Sequence, residues 1–362
     1  AIARRRFRVE AELARPHHQH GLGGLTHGLL FYNAATGRTI VKIEDACRRR
    51  STMPSSIPTL SARVIESEGF ATDIASAYER YGFVVIAEHG IPEHLIASCT
   101  ACFQRFFALP DATKRRYTLA GQGGARGYTP FGIETAKGAQ HYDLKEFWHV
   151  GRELPSNHPL RRYMPDNVWA EEIAGFRTST LELFDAFDAL GRSLLRAIAR
   201  GLSLPQDFFA NKVDLGNSVL RVIHYPPMRP NDTPSVRAGA HEDINVITLL
   251  LGADEPGLEV LDKQGRWLPV NPPTGSLVCN VGDMLQRLTN NQLRSTSHRV
   301  SNPSPERASR SRLSLPYFLH FNPDYLIETL PQCIVADRPN LYPQPITADD
   351  YLQERLREIK LK

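Results

Sequence analysis

The sequence predicts an α+β protein, with helices dominating the first half of its globular part and short strands the second. Two observations carry this. Residues 70–81 and 167–202 repeat apolar positions at helical spacing, whereas residues 217–321 hold seven β-rich runs separated by turns, the pattern of a sandwich or barrel. Composition agrees: 41% hydrophobic and 23% charged residues suit a globular chain, and 362 residues can bury a full core.

Residues 1–52 differ in character from the rest of the chain. They contain Arg4-Arg5-Arg6, Arg48-Arg49-Arg50 and a His-rich patch at 17–20, without a sustained period of 2 or 3.6. They read as a disordered extension, or as upstream sequence with Met53 the true initiator; a targeting peptide or a basic tail is the other option. From Ile57 the pattern is globular. FATDIASAYERY (70–81) reads as an amphipathic helix, GFVVIAEHG (82–90) as a buried strand, and residues 92–108 as a helix with Pro near its first turn. Residues 119–140, rich in Gly and Thr, read as loop. A major helix is expected over 167–202, where Leu183, Phe184, Phe187, Leu190, Leu194 and Ile198 recur near helical spacing. The strand runs come next: SVLRVIHY, INVITLLL, LEVLD, RWLPV, SLVCNV, HRVSN and RLSLPYFLHF. A last helix is expected from Asp349 to Ile359. The implied division is an extension (1–52), a helical/β region (53–205), a β core (206–325) and a C-terminal region with the last helix (326–362).

Charge and cysteine content narrow the function classes. The net charge is +4, but residues 1–52 carry ten Lys/Arg against four Asp/Glu, leaving 33 against 35 in the rest. The basic excess belongs to that segment, so a nucleic-acid-binding body is not implied. Five cysteines, odd in number and not in CxxC pairs, suit reduced thiols in a cytoplasmic protein. No apolar run of membrane-spanning length occurs, and the arginine-rich start does not resemble an export signal. A monomer is the default expectation.

The sharpest chemical signal is His241-Glu242-Asp243, with His298 55 residues beyond Asp243. On a strand, residues two apart share a face, so His241 and Asp243 can hold one ion while Glu242 turns away. A His from a neighbouring strand completes three ligands on one octahedral face. Three positions then remain for O₂ and small molecules, as in 2-His-1-carboxylate Fe(II) sites. In a chain with 13 His, however, H-x-D alone is most simply chance. Arg312-Leu313-Ser314 lies downstream in a β run. A guanidinium beside a hydroxyl suits the grip of a carboxylate, although R-x-S alone is as readily a stray surface pair. Tyr225 can add a hydroxyl to the same carboxylate, or be a half-buried strand tyrosine.

Together the runs RVIHYPP, HEDINVITLLL, GLEVLDKQGRWLPVNPPTGSLVCNVGDMLQRLTNNQLRSTSHRV and SRLSLPYFLHF resemble the Fe(II)/2-oxoglutarate oxygenase superfamily, in its isopenicillin N synthase-like branch. YGFVVIAEHGIP, QRFFALPDATKRR and RGYTPFG extend the likeness, which covers roughly residues 57–360. The resemblance implies a distorted double-stranded β-helix (jelly roll) buttressed by long helices. It implies Fe(II) on His241, Asp243 and His298, and 2-oxoglutarate held through its C5 carboxylate by Arg312 and Ser314 with help from Tyr225. Oxidative decarboxylation to succinate and CO₂ is then coupled to oxidation of a small molecule by O₂. Asn280-Val281-Gly282-Asp283 matches a structural turn, in which Gly would permit an unusual backbone angle. Asn291 replaces a Gly common in relatives, and Glu242 a Thr common in plant members.

The substrate is not named by these motifs. Residues 124–151 read as a lid over the pocket, and Arg126, Tyr128, Phe147 and His149 are the substrate-binding candidates, with Lys145 and Trp148 near them. Equally, Phe147 and Trp148 can be core, and Asp143, Lys145 and Glu146 a solvated face. Rival readings are an iron oxidase of the same fold that uses no 2-oxoglutarate, an ethylene-forming variant, and a non-catalytic jelly-roll binding module. A nucleic-acid protein acting through its basic N-terminus is the most distant.

Overall fold

The structure, a computed structural model, describes residues 56–358 apart from 120, 122–123, 136–140, 229–234 and 252–255. Before residue 56 it describes two strands, β1 (Leu29–Asn33) and β2 (Arg38–Lys42), paired antiparallel. Residues 1–54 and 55–362 are separate units. The two strands depart from the expected irregular extension. Both runs hold β-branched or aromatic residues and are too short to register as a sustained period. The rest of that expectation lies outside the described residues.

In the larger unit, β3 (Thr59–Ser61) precedes α1 (Glu68–Arg80) and β4 (Phe83–Ala87). The Ser67 hydroxyl caps α1 by accepting from the Phe70 N–H, and Phe70, Ile74, Ala77 and Tyr78 bury its apolar stripe. Next come α2 (Glu93–Phe107) and α3 (Asp111–Arg115), then β5 (Gly127–Thr129) and β6 (Glu146–Gly151). The long helix α4 runs from Phe176 to Gly201, starting later than its apolar periodicity suggests. Gly175 ahead of it is left-handed at φ 77°, which breaks the helical path back toward residue 167.

After α5 (Ala210–Val213) come β7 (Val219–Tyr225), β8 (Ala238–His241), β9 (Ile247–Leu251), β10 (Leu258–Leu261), β11 (Trp267–Pro269) and β12 (Leu277–Val281). A short α6 (Asp283–Leu288), β13 (His298–Val300), β14 (Arg312–Leu319), β15 (Leu326–Ile327), β16 (Ile346–Thr347) and α7 (Ala348–Glu358) complete the chain. All seven expected strand runs are present. β8 is an eighth strand, expected only from the same-face argument for His241 and Asp243, because Ala-Gly-Ala-His has none of the residues that favour strands; it ends at His241, short of Asp243.

The fold is mixed α/β. An eight-stranded sheet has the order β3-β4-β12-β9-β14-β7-β6-β5, and a four-stranded sheet the order β11-β10-β13-β8. Helix α4 packs against α1 and α2, and Leu249, Cys279, Trp148, Tyr317 and Leu319 are buried with their apolar residues in the main core. Alternate residues of the same strands, including Phe83, Val85 and Val278, join Leu258 and Val260 of the smaller sheet in a second core. Cys99, Cys102, Cys279 and Cys333 are buried free thiols, as expected. Among the described residues no helix is long and apolar enough to cross a membrane.

Of the expected lid over 124–151, the described residues 124–135 and 141–151 supply part of the cavity wall, and 136–140 lie outside the described residues. Most of the expected 119–140 loop is irregular, but β5 pairs with β6 and extends the large sheet to its edge. The postulated solvated face is buried: Asp143, Lys145 and Glu146 are each 4–6% exposed.

Candidate metal centre and active site

Within the smaller sheet, β13 lies antiparallel to β8 with His298 opposite His241. Asp243 lies just past the end of β8 and turns into the same space. One donor atom from each of these three residues lies within 4.8 Å of the others, and the imidazole centroids are 4.3 Å apart. Asp243 Oδ1 is 3.9 Å from both His241 Nε2 and His298 Nε2.

The surroundings fix which atoms face inward. His241 Nδ1 lies 2.8 Å from the Gly239 carbonyl, and His298 Nδ1 lies 3.1 Å from that of Thr296. A carbonyl can only accept, so each Nδ1 carries a proton, and in the neutral form that ligates metal the lone pair of each ring is on Nε2, toward Asp243. Thr248 Oγ1 and Asn280 Nδ2 donate to Asp243 Oδ2 at 2.6 and 2.8 Å, leaving Oδ1 for the shared space. Burial alone would raise the Asp243 pKa, but His298, His241 and these donors hold it below the usual value. Burial, helped by His298, lowers that of His241, favouring the neutral imidazole that ligates metal. Two neutral imidazoles and a carboxylate on one side of a cavity are the donor set of a divalent iron site. Glu242 points to the exposed rim, where Ser297 Oγ donates to it.

Thr248 carries no signal in the sequence, and Asn280 stands out there only as part of the expected turn, not as a support of Asp243. They face each other across β9 and β12, a pairing invisible before the strand order is known. Gly282 has a different role from the expected one. Its φ of −101° is ordinary, but a Cβ there would collide with the Asn245 carbonyl oxygen. The close approach lets the Asp283 N–H donate to the Asp243 carbonyl at 2.7 Å, tying the backbone of Asp243 to the start of α6. Gly282→Ala should therefore cost about 1–3 kcal/mol as overpacking. At about 2–4 °C per kcal/mol for a domain of this size, thermal unfolding should show it as a fall in Tm of several degrees. An unchanged Tm would mean that Asn245 yields freely. Asn290 and Asn291 are both left-handed, at φ 51° and 63°, so Asn291 fills the place expected of a Gly.

Arg312, Ser314 and Tyr225 are brought together and buried. Arg312 stands opposite Tyr225 across β14 and β7, with its guanidinium carbon 5.5 Å from the ring centroid. They are not among the residues lining the open cavity, which holds about 870 Å³ and reaches His241 and Asp243.

Of the substrate candidates, Arg126, Phe147 and His149 line that cavity and Tyr128 does not. Gly127 is the reason. Its left-handed φ of 71° breaks the alternation, so Arg126 faces the cavity while Tyr128 packs against Phe106 and donates to Glu146 behind the sheet. Trp148 also points to the helices. Lys145 is held by Asp143 at 2.8 Å and Glu134 at 2.9 Å, and Arg221 contacts Glu134 at 3.3 Å while donating to His149 Nε2. Burial alone would lower the Lys145 pKa, but Glu134 and Asp143 raise it, and Lys145 stays charged. Asp143 Oδ1 also accepts from the Gly239 N–H at 2.9 Å, bracing the strand that carries His241.

Residues 57–172 match the family described as non-haem dioxygenase in morphine synthesis N-terminal, and residues 216–321 match the 2OG-Fe(II) oxygenase superfamily. The 2-oxoglutarate-Fe(II) type oxidoreductase hxnY of Emericella nidulans is 32% identical over 290 residues, 77% of this chain and 82% of that protein. A 2OG-Fe(II) oxygenase family protein from Caulobacter crescentus superposes with a TM-score of 0.78 at 53% identity, covering 84% of this chain and 99% of the other. A full-length Neurospora crassa protein solved in complex with alpha-KG and thymine gives 0.74 at 28% identity, covering 83% and 96%. The chain belongs to the 2OG-Fe(II) oxygenase superfamily. It is an enzyme that uses Fe(II), 2-oxoglutarate and O₂, coupling decarboxylation of 2-oxoglutarate to oxidation of a small molecule.

Proposed function

We propose that His241, Asp243 and His298 are the Fe(II) ligands of this chain, and that Arg312, Ser314 and Tyr225 hold the C5 carboxylate of 2-oxoglutarate. The observation that carries the first assignment is the convergence of two Nε2 lone pairs and one carboxylate oxygen. Register supports the second. From His298, β13 leads to Ser301, whose N–H bonds Gly257, and the adjacent Pro256 carbonyl accepts from Arg312 Nη1 at 3.4 Å. Three residues of strand span roughly 10 Å, a suitable reach for a five-carbon diacid that chelates at its other end.

Bound iron and 2-oxoglutarate supply the oxidising chemistry, with release of succinate and CO₂. The chain's residues position and shield. Thr248 and Asn280 restrict Asp243 to one inward oxygen, the Gly239 and Thr296 carbonyls fix both imidazoles, and buried Arg312 stays charged to orient the co-substrate. No general base is assigned. We read the two sheets as the distorted double-stranded β-helix of the isopenicillin N synthase-like branch, with residues 206–325 as catalytic core. Residues 53–205 and 326–362 support it, and 1–52 are an extension. We read the enzyme as a cytoplasmic monomer without a nucleic-acid partner, since the basic excess is confined to 1–52.

Stoichiometry tests the reading. With Fe(II) and 2-oxoglutarate and no prime substrate, succinate should accumulate in step with O₂ uptake and stop when iron is chelated. Oxygen uptake without succinate would instead mark an oxidase that draws its electrons from the substrate alone.

A further inference from the structure

Two cations of the cavity lining have no carboxylate partner among the described residues: Arg162, which is exposed and donates to the Tyr163 hydroxyl, and Arg126, which is buried. Lys145 and Arg221 are matched by Asp143 and Glu134, and Asp243 belongs to the metal site. Arg126 is 2% exposed and has no carboxylate partner among the described residues. Its Nη1 donates to the Ala125 carbonyl at 2.7 Å and its Nη2 to Asn217 Oδ1 at 3.1 Å, both neutral acceptors, while its Nε makes no hydrogen bond.

An isolated buried guanidinium is costly unless something compensates it. Burial lowers its pKa to about 10, still far above neutrality, so the charge persists. Its place is also built: a Cβ on Gly151 would collide with the Arg126 guanidinium, so only glycine leaves room for it. Arg126 and Asn217 both line the cavity, and the wall near them carries Phe147, Val219 and Phe318. His320, also in the lining, is within electrostatic reach of both Arg126 and Asp243, so the cation and the metal site flank one space.

We infer that Arg126 is the anchor for an anionic group of the prime substrate, and that the substrate class is an apolar-bodied monocarboxylate. The guanidinium pairs with the carboxylate and Asn217 helps orient it, while Phe147, Val219 and Phe318 cover the body. The carbon to be oxidised lies toward His241 and Asp243. This inference rests on the Fe(II)/2-oxoglutarate reading for its chemistry, but acid binding itself does not need the metal.

The test uses the full chain and matched acid–amide pairs: 3-phenylpropanoate with its amide, cyclohexanecarboxylate with its amide, and benzoate with benzamide. Binding to metal-free protein is followed by saturation-transfer NMR, and stimulation of succinate release is followed with Fe(II) and 2-oxoglutarate present. At least one acid should bind about tenfold or more tighter than its amide, the gain expected of a charge-assisted pair. Arg126→Gln should erase that difference and Arg126→Lys should keep part of it, while the KM for 2-oxoglutarate in Arg126→Gln moves less than about twofold. Equal binding of acid and amide, no binding of any acid, or an acid preference that survives Arg126→Gln would each overturn the anchor. So would an acid preference lost in Arg312→Ala but not in Arg126→Gln, because the acid would then occupy the co-substrate's place. Should Arg126→Gln fail to fold, the acid–amide comparison on the unaltered protein and Arg126→Lys decides. Absence of iron-dependent succinate alongside a clear acid preference would refute the oxygenase assignment and leave the anchor standing.

Discussion

Asp243→Ala should abolish Fe(II) binding and reduce 2-oxoglutarate turnover to background. Asp243 supplies the only carboxylate among the three converging donors, and it is held by Thr248, Asn280 and the Asp283 N–H. Without it two neutral imidazoles remain, too few to fix a divalent ion on one octahedral face. A metal site contributes several kcal/mol to the reaction, and at about 1.4 kcal/mol per factor of ten this is roughly a thousandfold or more in rate. Thr248→Ala and Asn280→Ala should act one step removed, weakening metal affinity about 10–100-fold while leaving the ligands in place. The check is an anaerobic titration with Fe(II) and 2-oxoglutarate, followed by the weak visible charge-transfer band. His241→Ala should lose the band as well. A band that survives in Asp243→Ala would remove this residue from the metal site.

Arg312→Ala should raise the KM for 2-oxoglutarate by about 10–150-fold, the worth of about 1.5–3 kcal/mol for hydrogen bonds to a charged group. Ser314→Ala should cost roughly tenfold or less, since it removes one neutral donor. Arg312→Lys should restore little, because an ammonium cannot reproduce a two-pronged fork on a carboxylate. Steady-state kinetics with 2-oxoglutarate varied decides between the assignments. A normal KM for 2-oxoglutarate combined with failure to process the prime substrate would place Arg312 and Ser314 on that substrate instead.

The three converging donors are legible in the sequence through a two-residue spacing, His241 to Asp243, and one distant His that the surrounding motifs locate. What supports them is not. Asn280 and Thr248 are 32 positions apart and meet only because β12 pairs with β9. Alternation assigns a residue to a face but says nothing of its neighbour on the next strand. Tyr128 was misplaced for a local reason, since Gly127 reverses the alternation that would set it beside Arg126. Lys145 and Glu146 looked like a solvated face because charge normally means exposure; here the ion pairs that permit their burial come from Glu134, Asp143 and Lys114, with a hydrogen bond between His224 and Glu146, none predictable from spacing. The start of α4 was overextended because residues 167–175 continue its apolar pattern until a left-handed glycine stops the helix.

The pairing of His298 with His241 across β13 and β8 has a consequence for how the chain acquires its native form. A slip of one residue between these strands would turn either imidazole to the opposite face and scatter the donors. An ion that needs all of them therefore binds the correctly aligned strands and not the misaligned ones. It adds stability selectively to the native arrangement through mass action. With iron on the proposed ligands, metal uptake would act as a proofreader of strand alignment, rewarding the one pairing in which distant parts of the chain have been brought together correctly.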